Sequence, residues 1–284
     1  MTSSLTQVRI AFVGAGSMAE AIFRGLIERG ITKPDYLYVM NRSNQTNLDR
    51  IHGQYGVQVT NDPATKEAFI QQADVVVLCM KPKDVETSFQ DLKPLLSERQ
   101  LLVSVIAGLS IAKMERLLDT QMPIARTMPN TSSNIGLGAT GISFSSTVNE
   151  ANRQLAVDMF EAVGIVSVVE ESKLDIVTGV SGSGPAYVYY FMEAMMKAAF
   201  DGGLTEEDAR KLTVQTVLGA AHMVQQTGEN PAELRRKVTS PNGSTQAAIE
   251  ALDGHQFSEG IASAVFRSAQ RAKEMGEQIA VKTL

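Results

Sequence analysis

The chain has no tryptophan, three histidines and a single cysteine in 284 residues. One cysteine cannot close an internal disulfide, which excludes a disulfide-stapled scaffold and fits a reducing compartment. Cys79 lies in Asp74-Val-Val-Val-Leu-Cys-Met80, an apolar run that reads as a buried strand, so a small core residue is expected there rather than a reactive thiol. His52, His222 and His255 have no metal-ligand spacing and no cysteine or carboxylate cluster beside them, so no metal is expected. Dense Lys/Arg runs are missing as well. With 26 basic against 31 acidic residues the net charge is −5, which argues against general nucleic-acid binding but leaves room for a local anion site. No apolar run approaches the length of a membrane span, and the start has no basic segment followed by an apolar one. The expected partners therefore include neither nucleic acid nor membrane, and the expected location is the cytoplasm.

What is present is the composition of a globular protein, 44% hydrophobic and 20% charged, with length enough for two domains. The first half alternates. Strand-like runs at Val8–Val13, Tyr36–Met40, Asp74–Met80, Leu101–Ile106 and Ile124–Thr127 are mostly separated by helical stretches, with further strands near Gly141–Phe144 and Ile165–Val169. This pattern predicts an α/β fold, a Rossmann-type doubly wound and mainly parallel sheet with right-handed crossovers. Ser110 suits an N-cap for a helix over Ile111–Leu118, and Asn149-Glu150 opens another. Beyond Lys173 strands vanish, and helices are expected over Pro185–Phe200, Thr205–Gln226, Ser244–Leu252 and Phe257–Thr283. The expected division is residues 1–165 as a dinucleotide-binding domain and 166–284 as an all-α substrate-binding and dimerisation domain. Met192, Met195, Met196, Ala198, Ala199 and Met223 make these helices so apolar that an interleaved homodimer through the helical domain, open to a larger homo-oligomer, accounts for them best.

The densest chemical signal is near the start. Val8-Arg-Ile-Ala-Phe-Val13 is followed by Gly14-Ala15-Gly16-Ser17-Met18-Ala19 and an apolar helical run, the strand–turn–helix layout that holds a dinucleotide pyrophosphate. Gly14 permits the tight turn, Gly16 removes a Cβ from the phosphates, and Ala19 lets the helix approach the strand. An acidic residue about 20 positions further on would read an NAD ribose. This chain instead has Asn41-Arg42-Ser43, where Arg42 can pair with a 2′-phosphate and its neighbours can add hydrogen bonds. NADPH is therefore the expected cofactor, with NADH a weaker donor. Met80-Lys81-Pro82 and Ala107-Gly108 close the next strands at the sheet edge where cofactors lie.

Two serine–glycine segments mark the helical half: Gly179-Val-Ser181-Gly182-Ser183-Gly184-Pro185-Ala-Tyr187 and Thr239-Ser240-Pro241-Asn242-Gly243-Ser244-Thr245. Each leads into a helix. Taken singly either reads as an ordinary capped turn; together beside a dinucleotide fold they read as donors for a small carboxylate.

Across nearly its whole length the chain resembles the pyrroline-5-carboxylate reductases. The resemblance rests on Val13-Gly-Ala-Gly-Ser-Met, Met80-Lys-Pro82, Ser104-Val-Ile-Ala-Gly108, Met128-Pro-Asn-Thr131 and, most specifically, the segments ending at Tyr187 and Thr245. It departs from the family at Asn242, where glycine is usual, and at Ser132-Ser133, where proline is common. Asn tolerates positive φ best among non-glycine residues, so the turn can survive. The resemblance implies NAD(P)H-dependent reduction of a cyclic imino acid, 1-pyrroline-5-carboxylate, to L-proline. It implies a carboxylate held by the N–H groups of Gly243, Ser244 and Thr245, a further contact at Ser181, and the Thr245 hydroxyl bonded to the ring nitrogen. A β-hydroxyacid dehydrogenase has a similar plan but carries a catalytic lysine after its glycine loop, and here none occurs between Gly184 and Lys197. A nucleotide-binding sensor or scaffold without catalysis would keep the same glycine turn, but would have no need of the Ser240–Thr245 loop.

Overall fold

The structure is a computed structural model and describes residues 7–279. Its strands are β1 (Ile10–Val13), β2 (Leu37–Met40), β3 (Gln58–Thr60), β4 (Val75–Leu78), β5 (Leu101–Ser104), β6 (Ile124–Met128), β7 (Gly138–Phe144) and β8 (Gly164–Val168). They form one sheet in the order β3-β2-β1-β4-β5-β6-β7-β8. All neighbours are parallel except β6 and β7, which run antiparallel with Arg126 opposite Ser143. The chain leaves β1 towards β2 and β3 and returns on its other side at β4. This reversal is the topological switch beside which open α/β sheets bind ligands.

The helices are α1 (Ser17–Glu28), α2 (Gln45–Tyr55), α3 (Pro63–Gln72), α4 (Val85–Leu92), α5 (Ile111–Leu118), α6 (Glu150–Glu161), α7 (Leu174–Val177), α8 (Gly184–Asp201), α9 (Glu206–Thr227), α10 (Pro231–Lys237), α11 (Ser244–Gly254) and α12 (Phe257–Gln278). Local chemistry sets several of their starts. Asn44, Asp62, Ser110, Asn149 and Thr205 each accept a first-turn N–H in their side chains. The expected caps at Ser110 and Asn149 are present, and Thr205 also bonds Asp208 Oδ2 at 2.8 Å. The helix expected to run to Thr283 reaches Gln278; Thr283 lies outside the described residues.

Both sheet faces are buried, so alternate residues of each central strand feed different cores. Ile10, Phe12, Val39, Val77 and Val103 join Phe23 and Phe160 on one face, while Ala11, Val76, Leu78 and Leu102 join Phe89 and Met114 on the other. Phe12 and Phe23 are fully buried and meet edge to face, 5.7 Å between centroids, and burial of each contributes on the order of 1.5–3 kcal/mol. A Cβ on Gly25 in α1 would lie 2.4 Å from Val163 Cγ1, so glycine permits this close approach.

Chain contacts separate two compact units. One comprises the chain up to Ser183 together with Arg267 onwards, and the other is Gly184–Phe266. The division expected at residue 165 falls inside β8, whereas the contacts divide after Ser183. Segment 174–182 stays with the sheet: a Cβ on Gly141 of β7 would lie 2.7 Å from Val177 Cγ1. The second unit has almost no interior of its own. Its α8 contains no buried residue, α9 buries only Ala209 and Thr213, and Tyr190 and Phe200 are 76% and 58% exposed. No helix among the described residues is long and apolar enough to cross a membrane.

Candidate active site

The expected cofactor residues follow the carboxyl ends of β1, β2, β4 and β5, along one edge of the sheet. Gly14 and Gly16 have different tasks there. Gly14 has φ +119°, and a Cβ would stand 2.7 Å from the Cys79 carbonyl oxygen, so glycine is demanded by the neighbouring strand end. At Gly16 a Cβ would meet nothing within 4 Å. That residue is the N-cap of α1, no side chain caps it, and the first-turn N–H groups have no intrahelical acceptor. Open space before an uncapped helix N-terminus is the cradle a pyrophosphate needs, so the residues present fit a dinucleotide. Ala15 and Met18 pack against the core, whereas Gly16 and Ser17 are exposed.

Asn41 braces the turn after β2: its Oδ1 accepts from Asn44 N at 3.1 Å and its Nδ2 donates to Asn44 O at 2.9 Å. Arg42 and Ser43 are left exposed at the tip. Arg42 Nη2 donates to Asp84 Oδ1 at 3.2 Å. Lys81 opens the tight turn Pro82–Asp84 and is exposed, Met80 packs against the core, and Ala107 precedes Gly108, whose φ is +77°. Gly108 lies under α12, where a Cβ would approach the Ala272 carbonyl oxygen to 2.4 Å. Cys79 is a core residue whose thiol burial pushes up to about 12, so it is un-ionised at neutral pH. Among the described residues no three His, Cys, Asp or Glu side chains converge to hold a metal.

The two serine–glycine segments differ in geometry. The first was expected as a loop with free donors, but Thr178–Gly182 forms a π-helical turn running into α8. Ser181 Oγ donates to Val177 O at 3.1 Å, the Ser183 N–H to Thr178 O at 2.8 Å, and the Ser181 carbonyl accepts from Asn130 Nδ2 at 3.0 Å. Internal helical hydrogen bonds therefore engage groups assigned to a carboxylate, and the donor of Ser181 is taken. A Cβ on Gly182 would press Met128 Cε at 2.7 Å, so this glycine serves packing.

The second segment keeps most of its expected form. Asn242 has φ +57°, the conformation that glycine usually supplies and Asn tolerates. Its N–H donates to Gln246 Oε1 at 2.8 Å, fixing the turn. Gly243 is the N-cap of α11 without a side-chain cap, but its N–H donates to Ser240 O at 3.0 Å. It is thus unavailable to a ligand, which corrects the expectation that all three N–H groups of Gly243–Thr245 point outward. Ser244 and Thr245 open the helix, where backbone N–H groups lack intrahelical partners, and the half-buried Thr245 hydroxyl has no hydrogen bond among the described residues. By contrast the hydroxyls of Thr216, Thr227 and Thr239 all donate to the carbonyl four residues earlier.

Comparison with known proteins connects these features. Residues 171–275 match the family profile described as pyrroline-5-carboxylate reductase dimerisation, and residues 9–108 match NADP oxidoreductase, coenzyme F420-dependent. Pyrroline-5-carboxylate reductase 2 of Bacillus subtilis is 41% identical over 272 residues, covering 96% of both chains. The chain belongs to the pyrroline-5-carboxylate reductase family. The reductase of Pseudomonas aeruginosa is 39% identical, covering 95% of this chain and 98% of that one. Among solved structures, the pyrroline-5-carboxylate reductase of Coxiella burnetii superposes with TM-score 0.87 at 39% identity, over 95% of this chain and 99% of that one. That of Plasmodium falciparum, solved with NADP bound, gives 0.86 at 28% identity, over 96% and 100%.

Three polar residues of this chain carry structure that its sequence does not announce. Asn47 donates to the Ala15 carbonyl at 2.9 Å and so ties the glycine turn to α2. Arg50 bonds both carboxylate oxygens of Glu20, at 2.9 and 2.6 Å, and joins α2 to α1. Asn130 bridges the Ser181 carbonyl and the Ala139 N–H. The only available signal was the Asn44–Asn47 spacing, which reads as a helix start rather than as a brace on the cofactor turn.

Proposed function

We propose that this chain catalyses the NADPH-dependent reduction of 1-pyrroline-5-carboxylate to L-proline, the last step of proline biosynthesis. The observation that carries this reading is the occurrence, in a chain of this family, of two helices that start on a glycine N-cap with no side-chain cap, α1 at Gly16 and α11 at Gly243. When bound, NADPH supplies a hydride to the imine carbon, with NADH a weaker donor. The first-turn N–H groups of α1 receive the pyrophosphate, and Arg42, with Asn41 and Ser43, receives the 2′-phosphate. Lys81 would add charge there, and Met80, Pro82 and Ala107 would line the cofactor's side of the sheet edge.

At the substrate, the Ser244 and Thr245 N–H groups hold the carboxylate and the Thr245 hydroxyl orients the ring nitrogen. The nitrogen takes its proton from water, so no buried acid is required of the protein; its contribution is positioning and exclusion of misaligned poses. Atoms balance: the imine gains one hydride and one proton, and the donor is oxidised.

The bare helices of the second unit support a homodimer through the helical half, extendable to a larger homo-oligomer, because so many exposed large apolar side chains need a partner surface. The single cysteine fits a reducing compartment, and we assign the enzyme to the cytoplasm. Reduction with NADPH deuterated at its transferable hydride tests the chemistry. The label is expected on the proline methylene bonded to nitrogen; proline formed without label overturns the direct transfer.

A further inference from the structure

The ion pair at the tip of the β2 turn has a meaning beyond surface charge. Arg42 follows β2 and Asp84 follows β4, the two strands that flank β1 in the sheet. The pair therefore links the loops on either side of the glycine turn. Arg42 is 72% exposed and Asp84 28%, and one hydrogen bond of 3.2 Å joins them. A single Nη2 contact leaves the rest of the guanidinium fork open, so Arg42 is held without being saturated.

We propose that Asp84 is a specificity-determining residue that limits the preference for a 2′-phosphate by competing for Arg42. The inference rests on the reading that Arg42 meets the 2′-phosphate. A nucleotide with that phosphate must draw Arg42 from the Asp84 carboxylate and then place a second anion beside it. One with a free 2′-hydroxyl leaves the pair intact. Asp84 thus weakens NADPH binding relative to NADH and keeps the second cofactor usable. Releasing an exposed ion pair is worth up to about fivefold in affinity. Relief of like charge at a water-exposed site adds a similar factor, so removing the carboxylate strengthens 2′-phosphate binding by about three- to twentyfold.

Calorimetric titration with 2′,5′-ADP and with 5′-ADP isolates the phosphate without turnover. In Asp84→Asn and Asp84→Ser, 2′,5′-ADP is expected to bind about three- to twentyfold tighter, 5′-ADP to stay within about twofold, and the gain to shrink to at most about fivefold, the share from relief of like charge, when Arg42→Gln is added. Unchanged or weaker 2′,5′-ADP binding in both variants, with thermal midpoints intact, overturns the proposal. So does an equal gain for both nucleotides, or a gain undiminished by loss of Arg42. The underlying reading is scored separately: Arg42→Gln alone must weaken 2′,5′-ADP and spare 5′-ADP, and if it does not, the assignment of Arg42 fails whatever Asp84 does.

Discussion

Substituting alanine at Gly14 or Gly16 separates folding from cofactor binding at positions two residues apart. At Gly14 the new methyl carbon would stand 2.7 Å from Cys79 O and 2.8 Å from Cys79 C, at φ +119°. The clash is with backbone at a strand end, which cannot rotate away. Unfavourable backbone conformation costs about 1–3 kcal/mol and overpacking about 1–3 more, so Gly14→Ala should lose roughly 2–6 kcal/mol of unfolding free energy. At Gly16 the added carbon meets nothing, and φ −86° with ψ 178° suits alanine. Losing glycine at an N-cap costs up to about 1 kcal/mol, and a less flexible unfolded chain returns about 0.4–1, so stability should change by less than about 1 kcal/mol. Binding should respond in the opposite sense. A methyl group in the pyrophosphate cradle removes at least one charge-assisted hydrogen bond of about 1.5–3 kcal/mol, a loss of roughly 10- to 150-fold in affinity. Denaturant unfolding paired with NADPH fluorescence titration measures both quantities. If Gly16→Ala binds NADPH as tightly as the parent, or Gly14→Ala is no less stable than Gly16→Ala, the division of labour is refuted.

Four further outcomes are expected. Arg126→Met should destabilise the chain by about 2–4 kcal/mol in denaturant unfolding, because the buried guanidinium holds Glu171 and Asp175 at 3.0 Å each, and its loss leaves both carboxylates without their counter-charge, Glu171 keeping only the Ile111 N–H. Hydrogen bonding to Arg50, and then to Tyr55, holds the Glu20 carboxyl below its ordinary range despite opposing burial. A depressed carboxyl contributes stability above its unfolded value that is lost as pH falls through the folded one. Glu20→Gln should therefore cost about 0.5–1 kcal/mol at neutral pH, a difference that closes as pH falls through and below the ordinary carboxylate range in a pH series of unfolding curves. Cys79 should resist a disulfide-exchange thiol reagent at mildly alkaline pH in the native protein and react once per chain after denaturation, since its pKa of about 12 leaves almost no thiolate. Thr245→Ala should lower kcat by about 10- to 100-fold while the substrate still binds, the loss of one hydrogen bond to a charged nitrogen; an unchanged rate would remove Thr245 from the mechanism.

The centre of the sheet was legible in the sequence because β1, β2, β4 and β5 are buried on both faces and read as apolar runs. β3 was not: Gln58–Thr60 is three residues long, follows Gly56, and has one residue facing solvent, one intermediate and one buried. The α10 helix was also passed over, although Asn230 as cap and Pro231 in the first turn are visible signals, because seven residues offer too little periodicity. At this edge of the sheet residue type and spacing anticipated the tight turn at Gly14 and the exposed tip carrying Arg42 after β2, since both depend on local backbone. The π-helical turn at Thr178–Gly182 was misread because serine and glycine there serve packing against Met128 and back-bonding to helix carbonyls, neither of which leaves a pattern in sequence. Likewise the loss of the Gly243 N–H to Ser240 O depends on turn geometry alone. The helical half was legible in its excess: apolar helices without a core to enter remain exposed in the structure.

Steady-state turnover of 1-pyrroline-5-carboxylate, following NADPH absorbance and L-proline together and repeated with NADH, tests the central claim most directly. NADPH consumption and proline formation are expected to agree mole for mole, with a higher kcat/KM for NADPH than for NADH. Tight NADPH binding with no consumption of cofactor in the presence of the imine would contradict the assignment and leave a nucleotide-binding sensor in its place.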